Sequence, residues 1–219
     1  MEVPAPSSHA HSNDFTSKLP VAVVNHEEEK TMPNEKTIQA SLIYPREARL
    51  KDGQVVSLRL MVESDKQRIL QFARSLPPDD LLFLRTDITD PAIIDTWLQN
   101  IAERKSVTVL ADKDDELAGY ASIHRDGARW TRRVGEIRVQ VGPDYRGLGL
   151  GKRLVGEIFR LSQDLGLKKM AAMMTPEQAS ARATFEELGF RVEAQLQDWV
   201  VDRDDRSRDL LIMSLVCES

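Results

Sequence analysis

Residues 134–165, VGEIRVQVGPDYRGLGLGKRLVGEIFRLSQDL, constrain this chain more than any other stretch. Ile137, Val139 and Val141 alternate with Glu136, Arg138 and Gln140, the period of two that marks a strand. Gly142 and Pro143 stop that strand. Leu150, Leu154, Ile158, Leu161 and Leu165 then recur at steps of three and four and line one face of a helix. Between the two lies Arg146-Gly147-Leu148-Gly149-Leu150-Gly151-Lys152. Alternating glycines at a helix start bare several backbone N–H groups, and the helix dipole adds partial positive charge there. The pattern predicts a strand, a turn and a helix arranged to hold an anion, most simply a phosphate.

Two common phosphate motifs fail. A P-loop needs GxxxxGK[ST], but Arg153 follows Gly151-Lys152 and Arg146 stands in place of the first glycine. A dinucleotide fingerprint needs GxGxxG and an acidic residue ending the next strand. Here the spacing is GxGxG, and the next apolar run, Met170 to Met174, ends in Thr175. What fits is [QR]xxGx[GA], met by Arg146, Gly149 and Gly151 after a strand of the form ExxVxV. That combination resembles the acetyl-CoA-binding motif of the GNAT superfamily of N-acetyltransferases.

The remaining chain is consistent with such a fold. Val55 to Val62 reads as a strand entered from Asp52-Gly53, and Ser64 as the cap of a helix ended by Pro77-Pro78. Asp90-Pro91 opens a second helix with Ile93, Ile94, Trp97, Leu98 and Ile101 on one face. Ser106–Leu110 and Leu117–Ile123 form a hairpin across an acidic turn. After the organising unit come a buried strand over 168–174 and a helix carrying Ala181, Phe185 and Leu188 that Gly189 ends. Two last strands follow, over 190–201 and 210–216. The order predicts an α/β (α+β) class: a mixed, mostly antiparallel sheet of six to seven strands with helices on both faces. It matches the GNAT fold over residues 53–217. The run ARLKDGQVVSLRLMVESDKQRILQFARSLPPDDLLFLR is also similar to the opening of the acetyltransferase domain of bacterial protein-lysine acetyltransferases, although Val62-Glu63-Ser64-Asp65 departs from the usual pattern.

Residues 1–52 read as a tail and linker, largely disordered, because MEVPAPSSHAHSNDF is polar and aperiodic. His9 and His11 lack a third ligand, so no metal is expected. A net charge of −5 gives no footprint for nucleic acid. One cysteine, Cys217, excludes an internal disulfide framework and suits a reducing compartment. No apolar run approaches a membrane span, so a cytoplasmic location is the expectation.

The resemblance implies transfer of an acetyl group from acetyl-CoA, as cosubstrate, to a primary amine on a small molecule or a protein lysine. It implies that the backbone N–H groups of Arg146, Gly147, Leu148, Gly149, Leu150, Gly151 and Lys152 cradle the pyrophosphate. Main-chain groups of Val139, Gln140 and Val141 then pair with the pantetheine arm as an added strand, one of them stabilising the oxyanion. Lys152 and Arg153 either add charge toward the phosphates or form a solvated helix face. A free lysine amine of pKa near 10.4 is neutral in only about one molecule in 2,500 at pH 7, so a base is wanted. Glu136 matches the glutamate that serves so in protein-acetylating relatives, with Asp198 as the fallback carboxylate. Many relatives follow NxxAxxLYxxxGF, where this chain has Gln178 for the Asn and Phe185 for the Tyr. Gln178 can still hydrogen-bond the pantetheine, whereas Phe185 cannot protonate a leaving thiolate. That loss keeps a second reading open, a non-catalytic acetyl-CoA-binding regulatory module. Arg125, Asp126, Arg129, Trp130 and Trp199 are candidates for the acceptor groove. The composition names neither an acceptor nor an oligomeric state.

Overall fold

A computed structural model describes residues 44–82, 84–202 and 204–217. The strands are β1 (Arg46–Arg49), β2 (Val55–Leu60), β3 (Ser106–Lys113), β4 (Glu116–Arg125), β5 (Val134–Val141), β6 (Lys169–Met174), β7 (Arg191–Val201) and β8 (Ser207–Val216). The helices are α1 (Lys66–Ser75), α2 (Pro78–Leu82), α3 (Pro91–Ala102), α4 (Leu150–Asp164) and α5 (Ala179–Glu187). The strands form one sheet in the order β1-β2-β3-β4-β5-β6-β8-β7. Every neighbouring pair is antiparallel except β5–β6.

The period-two pattern sorts side chains to the two faces. Val109, Ala121, Ile123 and Ile137 join Leu150, Leu154, Ile158 and Leu161 of α4 in one core. Leu110 and Tyr120 go to the other face, against Ile69 and Phe72 of α1 and Ile94 and Trp97 of α3. The four α4 residues are fully buried, at roughly 1.5–3 kcal/mol each for a leucine or isoleucine. The hydrophobic face of α4 therefore anchors the glycine turn at its start.

Three local expectations are corrected. Residues 46–49 fall within the expected linker yet form β1, so the sheet has eight strands rather than six or seven. Ala48 and Leu50 are buried while Glu47 and Arg49 are exposed, an alternation too short to stand out beside the charges around it. Ser64 is not a cap. It lies inside a 3-10 turn over Glu63–Asp65, and Asp65 Oδ2 instead accepts the Val62 N–H at 2.9 Å. That carboxylate also takes Arg59 Nη1 at 2.7 Å and Nη2 at 2.6 Å, which holds it below the usual aspartate range despite burial. Helix α1 does end at Ser75, with Leu76 extended before Pro77, but Pro78 then opens a further short helix, α2, where only a stop was expected. The opening of α3 behaves as read: the Asp90 carboxylate accepts the Ala92 N–H at 2.9 Å with proline first in the helix. The hairpin between β3 and β4 turns on Asp114 and Asp115, both at positive φ, as a tight primed turn demands. Residues 1–43, most of the expected tail, lie outside the described residues, and so do His9 and His11.

Among the described residues no helix is long and apolar enough to cross a membrane, and no group of histidine, cysteine or acidic side chains has the grouping of a metal site.

Candidate functional site

The site begins where β5 and β6 part. Their parallel pairing covers only Val134↔Lys169, Gly135↔Met170 and Glu136↔Ala171, whereas β5 stays paired to β4 up to Val141. Gly142 N–H donates to Ala118 O at 2.8 Å. By the alternation of an antiparallel ladder, Gln140, Arg138 and Glu136 then direct their main-chain groups toward β4. Ile137, Val139 and Val141 direct theirs toward the gap that β6 has left. Val139 therefore presents main-chain groups to a slot one strand wide, as a strand-like ligand arm requires. Gln140 does not: its backbone faces β4, and it reaches the site only as a side chain lining the cavity. The Val141 carbonyl accepts Arg146 Nε at 3.3 Å.

The glycine turn lies at the open end of this slot. Gly147 and Gly149 have φ of 71° and 88°, a region that costs residues with a Cβ about 1–2 kcal/mol. The first reason for glycine is thus backbone handedness. Gly149 caps α4 in that conformation. Among the described residues the N–H groups of Gly147, Leu148, Gly149, Leu150, Gly151 and Lys152 have no acceptor, while Leu148 O accepts the Lys51 N–H at 3.0 Å. Arg146 N–H is used internally, donating to Pro143 O at 3.3 Å. Its guanidinium is ion-paired with Asp80 of α2. Lys152 is ion-paired with Glu187 of α5. Unpaired donors at a helix start, beside a strand-wide slot, fit a diphosphate joined to an extended arm. No observation here conflicts with acetyl-CoA as the molecule held.

Below the slot, a cavity of about 640 Å³ reaches from α3 across β4 and β5 to β6. Glu136 sits at the point of divergence. One of its carboxylate oxygens is ion-paired with Arg85, from the segment between α2 and α3, and the other takes Arg138 Nε at 2.9 Å. His124 is its cross-strand neighbour. His124 Nε2 lies 2.8 Å from Ser122 Oγ. Burial, with the Arg138 and Arg85 charges, pushes the imidazole down to about 3, so it is neutral at physiological pH. Tyr120 also lines the cavity, and burial raises its phenol to about 12. Gln178 lines the far wall and its Oε1 accepts the Thr175 N–H at 3.0 Å. Phe185 is core, edge-on to Phe190 with ring centres 4.8 Å apart.

Of the groove candidates, Arg125 and Asp126 line the cavity. Arg129, Trp130 and Trp199 do not; Trp130 is 91% exposed and Trp199 65%. Asp198 lies on a β7 irregularity, where its N–H donates to Asp209 Oδ1 at 3.1 Å, and is no part of this cavity. Sequence reasoning missed Arg85, Ser122 and His124. The hairpin alternation that put Tyr120, Ser122 and His124 on one face was the available signal. Arg85 carried none, because its partner is 51 residues away.

The pattern described as "Acetyltransferase (GNAT) family" matches residues 70–190. YwnH of Bacillus subtilis (strain 168), named provisionally as a phosphinothricin acetyltransferase, is 22% identical over 159 residues, covering 72% of this chain and 97% of its own length. The L-amino acid N-acyltransferase MnaT of Escherichia coli (strain K12) is 31% identical over 111 residues, 49% of this chain and 62% of its own length. Among solved structures, a GNAT superfamily phosphinothricin acetyltransferase from Sinorhizobium meliloti, in complex with acetyl-CoA, superposes with a TM-score of 0.64. It is 23% identical, with 74% of this chain and 88% of that one covered.

Proposed function

Because the chain belongs to the acetyltransferase (GNAT) family and is an acetyl-CoA-dependent N-acetyltransferase, we propose that its acceptor is a small primary amine bound beside Glu136, which removes the amine proton. The observation that carries this reading is the position of Glu136. It stands where β5 and β6 part, on the wall of the cavity and next along the strand from the main-chain groups aimed into the slot.

Bound acetyl-CoA supplies an activated acyl group and a thiol leaving group of pKa near 8.5. The chain does the rest. Donors from Gly147 to Lys152 hold the diphosphate, and Gln178 keeps an amide N–H pair for the arm. A main-chain N–H of Val139 stands ready for charge developing on an acyl oxygen, a role worth roughly 10²–10³ in rate. Glu136 accepts the amine proton directly or through one water, worth roughly 10²–10⁴. Arg85, its side chain 59% exposed, can leave the carboxylate when an ammonium arrives. His124, neutral, offers no competing positive charge of its own. With Phe185 in the core, solvent protonates the departing thiolate.

The names of the phosphinothricin and L-amino acid relatives support a small acceptor, as does a cavity within the usual range for small molecules. The likeness of residues 48–85 to protein-lysine acetyltransferases supports a lysine side chain as the second acceptor to try. Thiol release from acetyl-CoA, followed against amino acids, simple amines and lysine peptides, tests the reading. Tight acetyl-CoA binding with no release above hydrolysis for any of them would refute it.

A further inference from the structure

The Arg146 side chain lies where the ligand arm has to go. Val141 is the last β5 residue whose main-chain groups face the gap between β5 and β6. Its carbonyl already accepts Arg146 Nε at 3.3 Å. A guanidinium donating to that carbonyl sits across the upper end of the slot, between the strand and the glycine turn. Asp80 holds it there from the other side, its carboxylate ion-paired with Nη2 of the same group. Asp80 is itself well fixed. Its N–H donates to Pro77 O at 3.0 Å, and the next residue, Leu81, is buried in the core with Ile69 and Ile94. The turn's other basic end, Lys152, is also tied to an acid, Glu187. That acid is 59% exposed whereas Asp80 is 20% exposed, so water screens the hold on Lys152 far more than the hold on Arg146. An acid fixed beside an anion-holding turn has the wrong sign to help bind the ligand. It competes with the ligand's phosphates for a guanidinium instead.

We propose that Asp80 and Arg146 form an autoinhibitory latch over the slot, Asp80 holding the guanidinium on the Val141 carbonyl until the diphosphate of acetyl-CoA draws it away. This rests on the glycine turn and slot as the acetyl-CoA site and is independent of the acceptor. In the exchange the arm takes the Val141 carbonyl, the diphosphate takes the guanidinium, and Asp80 is left to solvent. Carboxylate and phosphate are both good partners for a guanidinium. The latch therefore sets a threshold for cofactor binding and does not block it. Asp80 acts through Arg146, as a positioning residue that lowers the affinity of the chain for its cofactor.

The test is calorimetric binding of CoA to the full chain, which needs no acceptor and no turnover. A partly exposed ion pair is worth up to about five-fold in an equilibrium. Asp80→Asn and Asp80→Ala should therefore both bind CoA about three-fold or more tightly than wild type, with melting temperatures within a few degrees of it. Asp79→Asn removes the same charge one residue away, from an acid with no tie to Arg146, and should change the affinity by less than about two-fold. In an Arg146→Gln background the acid has no guanidinium to hold, so Asp80→Asn should tighten binding no more than Asp79→Asn does. Unchanged or weaker binding in both Asp80 variants, as an acid that merely aims Arg146 at the ligand would give, overturns the proposal. So does equal tightening by Asp79→Asn, or a gain from Asp80→Asn that survives Arg146→Gln. Failure of the cradle itself reads differently. Gly149→Glu would then bind CoA as well as wild type, whereas a failed latch leaves that variant impaired and the Asp80 variants unchanged. No detectable CoA binding by wild type or any variant would overturn both.

Discussion

Replacing Glu136 by Gln keeps shape and removes the charge that is to take the amine proton. The size of the effect follows from two separate quantities. The first is proton removal: with about one neutral amine in 2,500 at pH 7, a positioned base is worth roughly 10²–10⁴-fold, or about 3–5 kcal/mol of barrier. The second is stability. Glu136 pairs with Arg85 and Arg138, whose side chains are 59% and 30% exposed. Pairs of that exposure contribute about 0.2–1 kcal/mol each. Gln still offers an oxygen to Arg138, so the loss stays under about 2 kcal/mol, a fall in melting temperature of at most about 8 °C for a chain this long. The variant should bind acetyl-CoA normally by calorimetry. Its kcat/KM, read from thiol release, should fall by about 10²-fold or more at pH 7. The deficit should shrink as pH rises toward the amine pKa, because the amine then deprotonates itself. Transfer within a few-fold of wild type from pH 7 to 10 would remove Glu136 from the mechanism. The replacement to test would then be Asp126, which lines the cavity, and not Asp198, which does not.

Other expectations follow from the same geometry. Gly149→Glu imposes a side chain at φ 88° and a like charge on the diphosphate cradle; the folded variant should lose measurable acetyl-CoA affinity by calorimetry, and undiminished affinity would refute the cradle. His124 is neutral in the folded chain down to about 3 but protonates near 6.5 when unfolded. Between those values the unfolded chain binds more protons, so stability falls as pH drops through that window and is level above it. His124→Gln should therefore flatten the decline in melting temperature between about pH 6.5 and pH 4.5, and an unchanged decline would count against burial of a neutral ring. A Cβ on Gly135 would lie 2.7 Å from Ile123 Cδ1 and from Leu167 Cδ1; Gly135→Ala should cost about 1–3 kcal/mol by overpacking, and an unaltered melting temperature would disprove that contact. A chain beginning at Glu35 retains Tyr44, whose hydroxyl donates to Glu157 at 3.1 Å, and all of β1. It should melt within a few degrees of the full chain, and a large drop would show that the polar leader contributes to the core.

The sequence by itself determined the parts of this protein whose causes are local. Glycines at 147 and 149 are demanded by backbone handedness, and their spacing before an amphipathic helix marked a glycine turn at a helix start without any distant contact. Periodicity placed seven of the strands and the helices other than α2, whose 5 residues are too few to show a repeat. Strand β1 escaped because four residues with one small buried side chain carry too little pattern. What only the tertiary structure decided is the company each site residue keeps. The register of β5 on β4 turned Gln140 toward β4 and Val139 away from it, and the divergence of β5 from β6 after Glu136 opened the slot that Val139 faces; both are properties of two strands, not of either sequence. Arg85 reaching Glu136 and Asp80 holding Arg146 both depend on segments distant in the chain. Charge pairing depends on distance and burial rather than on residue order, so it becomes legible only once the sheet has set the register.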